Sequence, residues 1–307
     1  MGHIASAALD STSSCSCVHI PQDVRCQIAA TLGPIATSVL VTERHCMPVW
    51  RVATEQGDVA LKVDMSGTGF PARERAVLSA LGDGSLAAAG DHSTGPWLAT
   101  WWWDGASTFE RWAPVRDGGI GRTRNLHGAL RAAVDFCEAV ADLHDRGWVH
   151  GDLQPVHCIH TAAGPRLIDF AVAYGPAGSV PDEIEAAYPY IGGKIDLNPP
   201  ETAEAMITDG LAPKATQATD VYSLAASLWH CWTGGFPVDY ASQGAADDSL
   251  PATERRRLIA QGLPLPAIPR GLEHADLRGV LAGALARNPS DRPRARELAE
   301  RLAAVAR

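Results

Sequence analysis

The chain has 307 residues, 46% of them apolar, and a formal net charge of −9. That length suits one large or two small domains around an ordinary core. The acidic balance argues against a general nucleic-acid binder, so no nucleic-acid partner is expected. The seven cysteines (Cys15, Cys17, Cys26, Cys46, Cys137, Cys158 and Cys231) are an odd number in a long chain. That is not the pattern of a disulfide-dense scaffold. No apolar run approaches the length of a membrane span, and the N-terminus lacks a basic segment followed by an apolar one. The expectation is a cytoplasmic protein without a membrane partner.

Residues 1–27 read as an N-terminal tail, Ser- and Ala-rich at first, with a short helix as the alternative. Cys15-Ser16-Cys17 within it reads as flexible rather than metal-bound. From Ile28 the pattern changes. Ile35 to Val41, Val49 to Ala53 and Val59 to Val63 are apolar and β-branched, which predicts an antiparallel start with Lys62 on the third strand. Helical spacing of Val77, Leu78 and Leu81 predicts a helix over 70–81, stopped by Gly82 and Gly84. Leu86 to Ala89 and Pro96 to Trp103 read as two further strands. Leu126 to Arg146 is a long amphipathic helix ended by Gly147. Residues 171–200 are Gly- and Pro-rich, and 173–198 are expected to be poorly ordered without a partner. Asp220 to Trp229 is too apolar for a surface helix and reads as a buried one. Shorter helices are expected over 254–261, 277–286 and 294–306. Strands first and helices afterwards indicate an α+β fold.

Two stretches carry the chemistry. Val149-His150-Gly151-Asp152-Leu153-Gln154-Pro155-Val156-His157 is followed by Leu167-Ile168-Asp169-Phe170-Ala171, which sets Asp152 and Asp169 17 positions apart. Phosphoryl transfer needs one carboxylate to orient a hydroxyl and another to hold a metal on the nucleotide phosphates. These stretches resemble the catalytic loop and the metal-binding motif of the protein-kinase superfamily. Val59-Ala60-Leu61-Lys62 resembles its lysine-bearing strand, Pro199-Pro200-Glu201 the close of its activation segment, and Asp291-Arg292-Pro293 its late arginine motif. Over residues 30–303 the chain is therefore similar to a bacterial, divergent eukaryotic-type kinase domain.

The resemblance implies a bilobal fold, with a sheet-bearing N-lobe over 28–103, holding one helix, and a mainly helical C-lobe over 104–307. It implies ATP and Mg2+ as cofactors, with Mn2+ as the alternative metal. Lys62 would hold the phosphates and Glu74 would orient it, Glu110 being the alternative. Asp152 would act as base and Asp169 as metal ligand. Glu201, Arg292 and Asp220 would be structural, Glu201 pairing with Arg292. Thr100, Trp101 and Trp103 would line the nucleotide cleft, an equal alternative being that the tryptophans are plain core.

Four departures stand beside the matches. The glycine-rich loop is reduced to Gly33, with Thr37 and Ser38 as candidate phosphate contacts or as a simple turn. His157 stands where the family has an asparagine for a second metal. It is a candidate ligand, although magnesium prefers oxygen. Gathering His150, His157, Cys158 and His160 into a zinc site is disfavoured, because successive strand residues face opposite ways. Ala171 replaces the glycine after Asp169-Phe170. Gly151 and Gln154 replace an arginine and a lysine, which resembles small-molecule kinases, and Lys194 takes the place of a threonine. Control by activation-loop phosphorylation is not expected, because no arginine waits there. The resemblance implies an ATP-dependent phosphotransferase acting on a hydroxyl, such as Ser or Thr of a protein or biosynthetic peptide. The alternatives are a pseudokinase that binds nucleotide or recruits a peptide or partner enzyme, and a small-molecule kinase.

Overall fold

The computed structural model describes residues 19–44, 47–65, 67–118, 122–187, 190, 192–244 and 250–307. Cys15, Cys17, Cys46 and parts of the 171–200 stretch lie outside the described residues. The chain forms two units that divide between Trp102 and Trp103, the first also taking a short stretch that begins at Glu183. The architecture is a bilobal α+β fold of the kinase-like kind, an antiparallel sheet with a helix followed by a mainly helical unit.

The first unit begins with helix α1 (Gln22–Leu32), which overlaps the end of the stretch read as a tail. Strands β1 (Ile35–Arg44), β2 (Met47–Thr54) and β3 (Gly57–Val63) follow, then α2 (Phe70–Leu81), β4 (Leu86–His92) and β5 (Gly95–Trp101). The sheet order is β1-β2-β3-β5-β4, with every neighbour antiparallel. Directly opposed residues share a face. Trp50, Leu61 and Ala99 align on one face, as do Val52, Val59 and Trp101. Val24, Ile28 and Leu32 of α1 complete that core. Val49, Lys62 and Leu98 align on the other face, the one that Glu74 of α2 reaches. The sheet is thus sandwiched between two helices, and the lysine is on the α2 side.

Two local devices set these helices. Gly33 ends α1 with φ 85°, and a Cβ on it would fall 2.7 Å from Glu55 Cβ, so only glycine fits. Asp64, just past β3, accepts the amides of Gly69 at 2.5 Å and Thr68 at 3.1 Å. Its carboxylate satisfies donors at the start of α2 and sits where the helix dipole favours negative charge.

The second unit contains β6 (Ala106–Ser107), α3 (Thr108–Arg116), α4 (Arg122–Asp145), β7 (Cys158–Thr161) and β8 (Gly164–Leu167). A short helix, α5 (Asp182–Ala187), precedes α6 (Pro200–Thr208), α7 (Gln217–Thr233), α8 (Ala252–Gln261), α9 (Ala275–Ala284) and α10 (Ala295–Val305). The core is built on α4 and α7, where Phe136, Val140, Leu224, Leu228 and Trp229 are buried. Helix α7 is buried nearly all round, capped by Thr216 through the Thr219 amide and stopped by Gly234 in the left-handed region.

The 173–198 stretch departs from expectation in its described part. It holds α5 and a 3-10 turn over Ile195–Leu197, and it buries Ala173, Tyr174, Val180, Tyr190, Asp196 and Asn198. Composition hid this, because the order comes from ties to elements distant in sequence. Tyr174, for example, exchanges backbone hydrogen bonds with Val149 at 2.7 and 2.8 Å.

Ile28 is wholly buried under the sheet. Ile28→Ala is expected to cost about 2–5 kcal/mol, read as a lower urea midpoint with an unchanged slope.

Candidate active site

In the first unit, Lys62 Nζ donates to Glu74 Oε2 at 2.7 Å, with side chains only 16% and 3% exposed. The pair is buried, and the Asp64-capped turn brings its two halves together. Glu110, the alternative partner, is spent elsewhere. Its carboxylate accepts the Ser107 amide and hydroxyl at 2.7 and 2.8 Å in the capping box of α3. Those bonds hold its pKa below the usual carboxylate value.

Three expected phosphate contacts fall elsewhere. Lys62 pairs with Val49, which pairs with Thr42, so Thr42 lies on the lysine's rung of the sheet. Ser38 aligns through Val52 with Val59, and Thr37 through Ala53 with Asp58. They lie three and four residues down the sheet, about 10–13 Å along the strand direction. Strand β1 runs on to Arg44, past Val41, so its turn into β2 comes later than the Gly33 region. Gly33 serves as the stop of α1.

The tryptophans also separate. Trp101 faces the α1 side, where its ring is 3.4 Å from a Cβ position on Gly57 and packs on that core. Thr100 pairs with Ala60 and so shares the face of Lys62. Trp102 lies under the Arg51 guanidinium, 4.8 Å from its centre. Trp103, in the second unit, lies under that of Arg166 at 5.1 Å. The plain-core alternative describes Trp101, and the other two are cation–π platforms.

In the second unit, Asp220 anchors the loop of His150-Gly151-Asp152. It accepts the amides of His150 at 2.7 Å and Gly151 at 2.8 Å, and His144 Nε2 lies 2.9 Å from it. Gly151 has φ 79°, and a Cβ on it would sit 2.8 Å from the Val172 carbonyl oxygen. An arginine therefore does not fit this backbone. Tyr190 donates its hydroxyl to the Gly151 carbonyl at 2.8 Å, and Ser227 donates to Leu153 O at 2.7 Å. His150 is fully buried, with Nε2 3.1 Å from Ile168 O, and burial lowers its pKa.

Asp152 is held at both oxygens. Gln154 Nε2 donates to Oδ2 at 2.9 Å, and the Lys194 amide donates to Oδ1 at 3.0 Å. His157 Nδ1 lies 2.9 Å from the Asp152 carbonyl, which only accepts, so Nδ1 carries a proton. In the neutral ring Nε2 is then a lone pair, and it faces Asp169 Oδ2 at 3.5 Å. One carboxylate oxygen and one imidazole nitrogen are ligand types a divalent metal accepts, and among the described residues no group of three or more such side chains gathers there. Cys158 and His160 do not join them. His160 Nε2 is 2.9 Å from the Thr108 hydroxyl, and Cys158 is buried with its thiol pushed up to about 12. Asp169 itself is in the left-handed region with φ 68°, a costly conformation for a non-glycine residue.

Two charge clusters brace the segment between these groups. Arg292 grips Glu201 with both terminal nitrogens, at 2.7 and 2.8 Å. Asp196 accepts from Arg255 at 2.8 and 3.1 Å and from the Tyr240 hydroxyl at 2.9 Å. Nothing in the local pattern singled out Asp196; a buried acid needs such partners, but they come from 44 and 59 residues away. Beside it a column of stacked groups runs from Lys194 over Phe236 (5.0 Å) to His230 (4.6 Å), Phe109 (5.4 Å) and Arg116 (3.9 Å).

Fold and site together are kinase-like: a lysine–glutamate pair in the sheet unit, and a braced aspartate loop with a second acid in the helical unit. A 173-residue stretch, 53% of this chain, is 32% identical to serine/threonine-protein kinase PknK of Mycobacterium tuberculosis. A 194-residue stretch, 60% of the chain, is 29% identical to PkaB of Streptomyces coelicolor, and 171 residues are 28% identical to PknB of M. tuberculosis. These matches cover 13%, 41% and 24% of those proteins, so the chain spans less than half the length of the relatives it matches. No protein-family model matches the chain. The similarity and the fold support a divergent member of the eukaryotic-type kinase-like superfamily.

Asp220→Ala would strand the His150 and Gly151 amides in the core. At about 1–3 kcal/mol for each buried donor left unsatisfied, it should destabilise the protein by several kcal/mol, visible in urea titration. His230 gives a pH effect. Burial lowers its pKa first, the Lys194 and Arg116 charges lower it further, and the Gly235 carbonyl and Asp196 oppose them. Below about pH 6.5, the ordinary histidine value, the unfolded chain then binds the extra proton more readily. The stabilisation is full above that pH and falls away on acidification. His230→Phe should flatten the loss of urea stability between about pH 7 and 5.

Proposed function

We propose that the chain is an ATP-dependent phosphotransferase acting on a hydroxyl, the Ser or Thr of a protein or biosynthetic peptide. The observation that carries this is the buried Lys62–Glu74 pair. A lysine held by a glutamate is oriented to meet the α- and β-phosphates of a nucleotide. In the other unit Asp152 would orient the acceptor hydroxyl and take its proton through an oxygen now held by Gln154 or Lys194. Asp169, with His157, would hold a divalent metal. When bound, such a metal neutralises charge between the β- and γ-phosphates. His150, neutral and buried, would keep the loop in place through Ile168 rather than exchange protons.

A second reading, a pseudokinase that recruits a peptide or partner enzyme, has one observation in its favour. The connection at the lysine end of the sheet reads Thr42-Glu43-Arg44-His45-Cys46-Met47-Pro48 and has no glycine to bring backbone close to phosphates. Calorimetry with ATP and either metal, followed by transfer to Ser/Thr peptides, separates the readings. The expected outcome is tighter binding with Mn2+ than with Mg2+, a preference that His157→Asn moves towards Mg2+. Asp152→Asn should keep nucleotide binding and lower transfer by about 100-fold or more. Binding without transfer to any peptide would favour a nucleotide-binding pseudokinase, and no binding with either metal would falsify the phosphotransferase and leave only the recruiting module.

A further inference from the structure

We propose that Lys194 forms a subsite for negative charge on the acceptor peptide, next to the residue that presents its hydroxyl. The proposal names a substrate class for the phosphotransferase reading and rests on it for the reaction, though not for the binding. Three observations carry it.

The first is position. The Lys194 amide donates to Asp152 Oδ1 at 3.0 Å, so this lysine is attached directly beside the carboxylate that would meet the hydroxyl. Gly193 makes the approach feasible, since a Cβ there would lie 2.5 Å from Asp152 Oδ1 and 3.1 Å from the Gly151 carbonyl.

The second is rigidity. Asn198 Nδ2 donates to the Gly193 carbonyl at 3.2 Å, and Asp196, two residues on, is buried and held by Tyr240 and Arg255. The Lys194 backbone is thus fastened on both sides, and little ordering remains to be done when a ligand binds.

The third is the state of the ammonium. Lys194 is exposed, and its Nζ stands 5.0 Å from the Phe236 ring centre. Among the described residues no carboxylate pairs with it. At the other end of the column Arg116 is closed by Asp117, with two contacts of 2.9 Å. Lys194 is therefore the end of the column left open to an incoming anion. The His230–Phe236 stack beneath it keeps the lysine stem on the ring, and a ring-held ammonium can still donate three hydrogen bonds outward. The group is at the surface, and the subsite requires that a side chain on an extended peptide meet it while the neighbouring hydroxyl meets Asp152. Aspartate, glutamate and a phosphorylated residue share the chemistry required.

The test uses the full chain and fluorescent peptides with one serine, flanked by glutamate, phosphoserine, alanine or lysine, with binding read by anisotropy. The acidic peptides should bind about 10-fold or more tightly than the lysine peptide. Lys194→Glu, an exposed change that leaves the backbone amide in place, should invert that order, and Phe236→Leu should weaken it without inversion. The phosphoserine and glutamate arms decide between phosphate and carboxylate as the preferred anion. No charge preference, or one that Lys194→Glu leaves intact, overturns the subsite. Transfer is read on the same peptides: charge-dependent binding without transfer keeps the subsite and overturns the phosphotransferase reading.

Discussion

The second unit depends on one buried carboxylate. Asp220 is fully enclosed and, among the described residues, pairs with no guanidinium or ammonium; two backbone amides and an imidazole nitrogen contact it instead. An ionised acid taken from water without such donors costs far more than the fold could supply. The three contacts offset that cost, and they make α7 and the 150–152 loop a single object. The core therefore fixes the loop, the loop fixes Asp152, and Asp152 fixes the Lys194 amide.

That anchoring also explains two departures from the kinase pattern. Held by Asp220 from below and Tyr190 from above, residue 151 sits at φ 79° against the Val172 carbonyl. Glycine stands there because no Cβ fits. At Asp169-Phe170-Ala171 the left-handed residue is Asp169 itself, while Ala171 takes an ordinary conformation. The freedom a glycine would add at 171 is not used in this conformation. The strain lies on the acid that faces His157, where the Phe170–Ala173 turn and the Ile168 amide on the His157 carbonyl hold it.

Much of this was legible because it is local. The period of Val77, Leu78 and Leu81 and the glycine after them define α2, and the apolar run after Asp220 defines α7. The lysine strand and the two acid motifs read directly. What did not read depends on contacts distant in sequence. Helix α1 has only a modest apolar stripe and becomes a helix of the core through the sheet it covers. Helix α3, with Pro114 inside it, and α6, opening on prolines, lack the uninterrupted period that marks α4. The misplacement of Thr37 and Ser38 is a matter of register. A β-bulge between Leu40 and Thr42 and three further strand residues move the turn, and no residue near Gly33 announces that.

The charged groups divide into those the fold explains and those it does not. Glu201–Arg292, Asp196–Arg255 and Asp220 each tie together segments far apart in sequence, and their removal would loosen the unit whatever it binds. Lys62 and Glu74 are different. They join a strand to a helix that Asp64 already fastens to it, on a face where Leu98 and Val49 would accept apolar neighbours. A buried ion pair is seldom better for stability than a well-packed apolar pair of the same volume. Stability alone therefore gives such a pair little advantage over an apolar one. An ammonium held in orientation by a buried carboxylate is what an anionic ligand would require, and this makes the sheet unit, as much as the aspartate loop, the place where a phosphotransfer reading stands or falls.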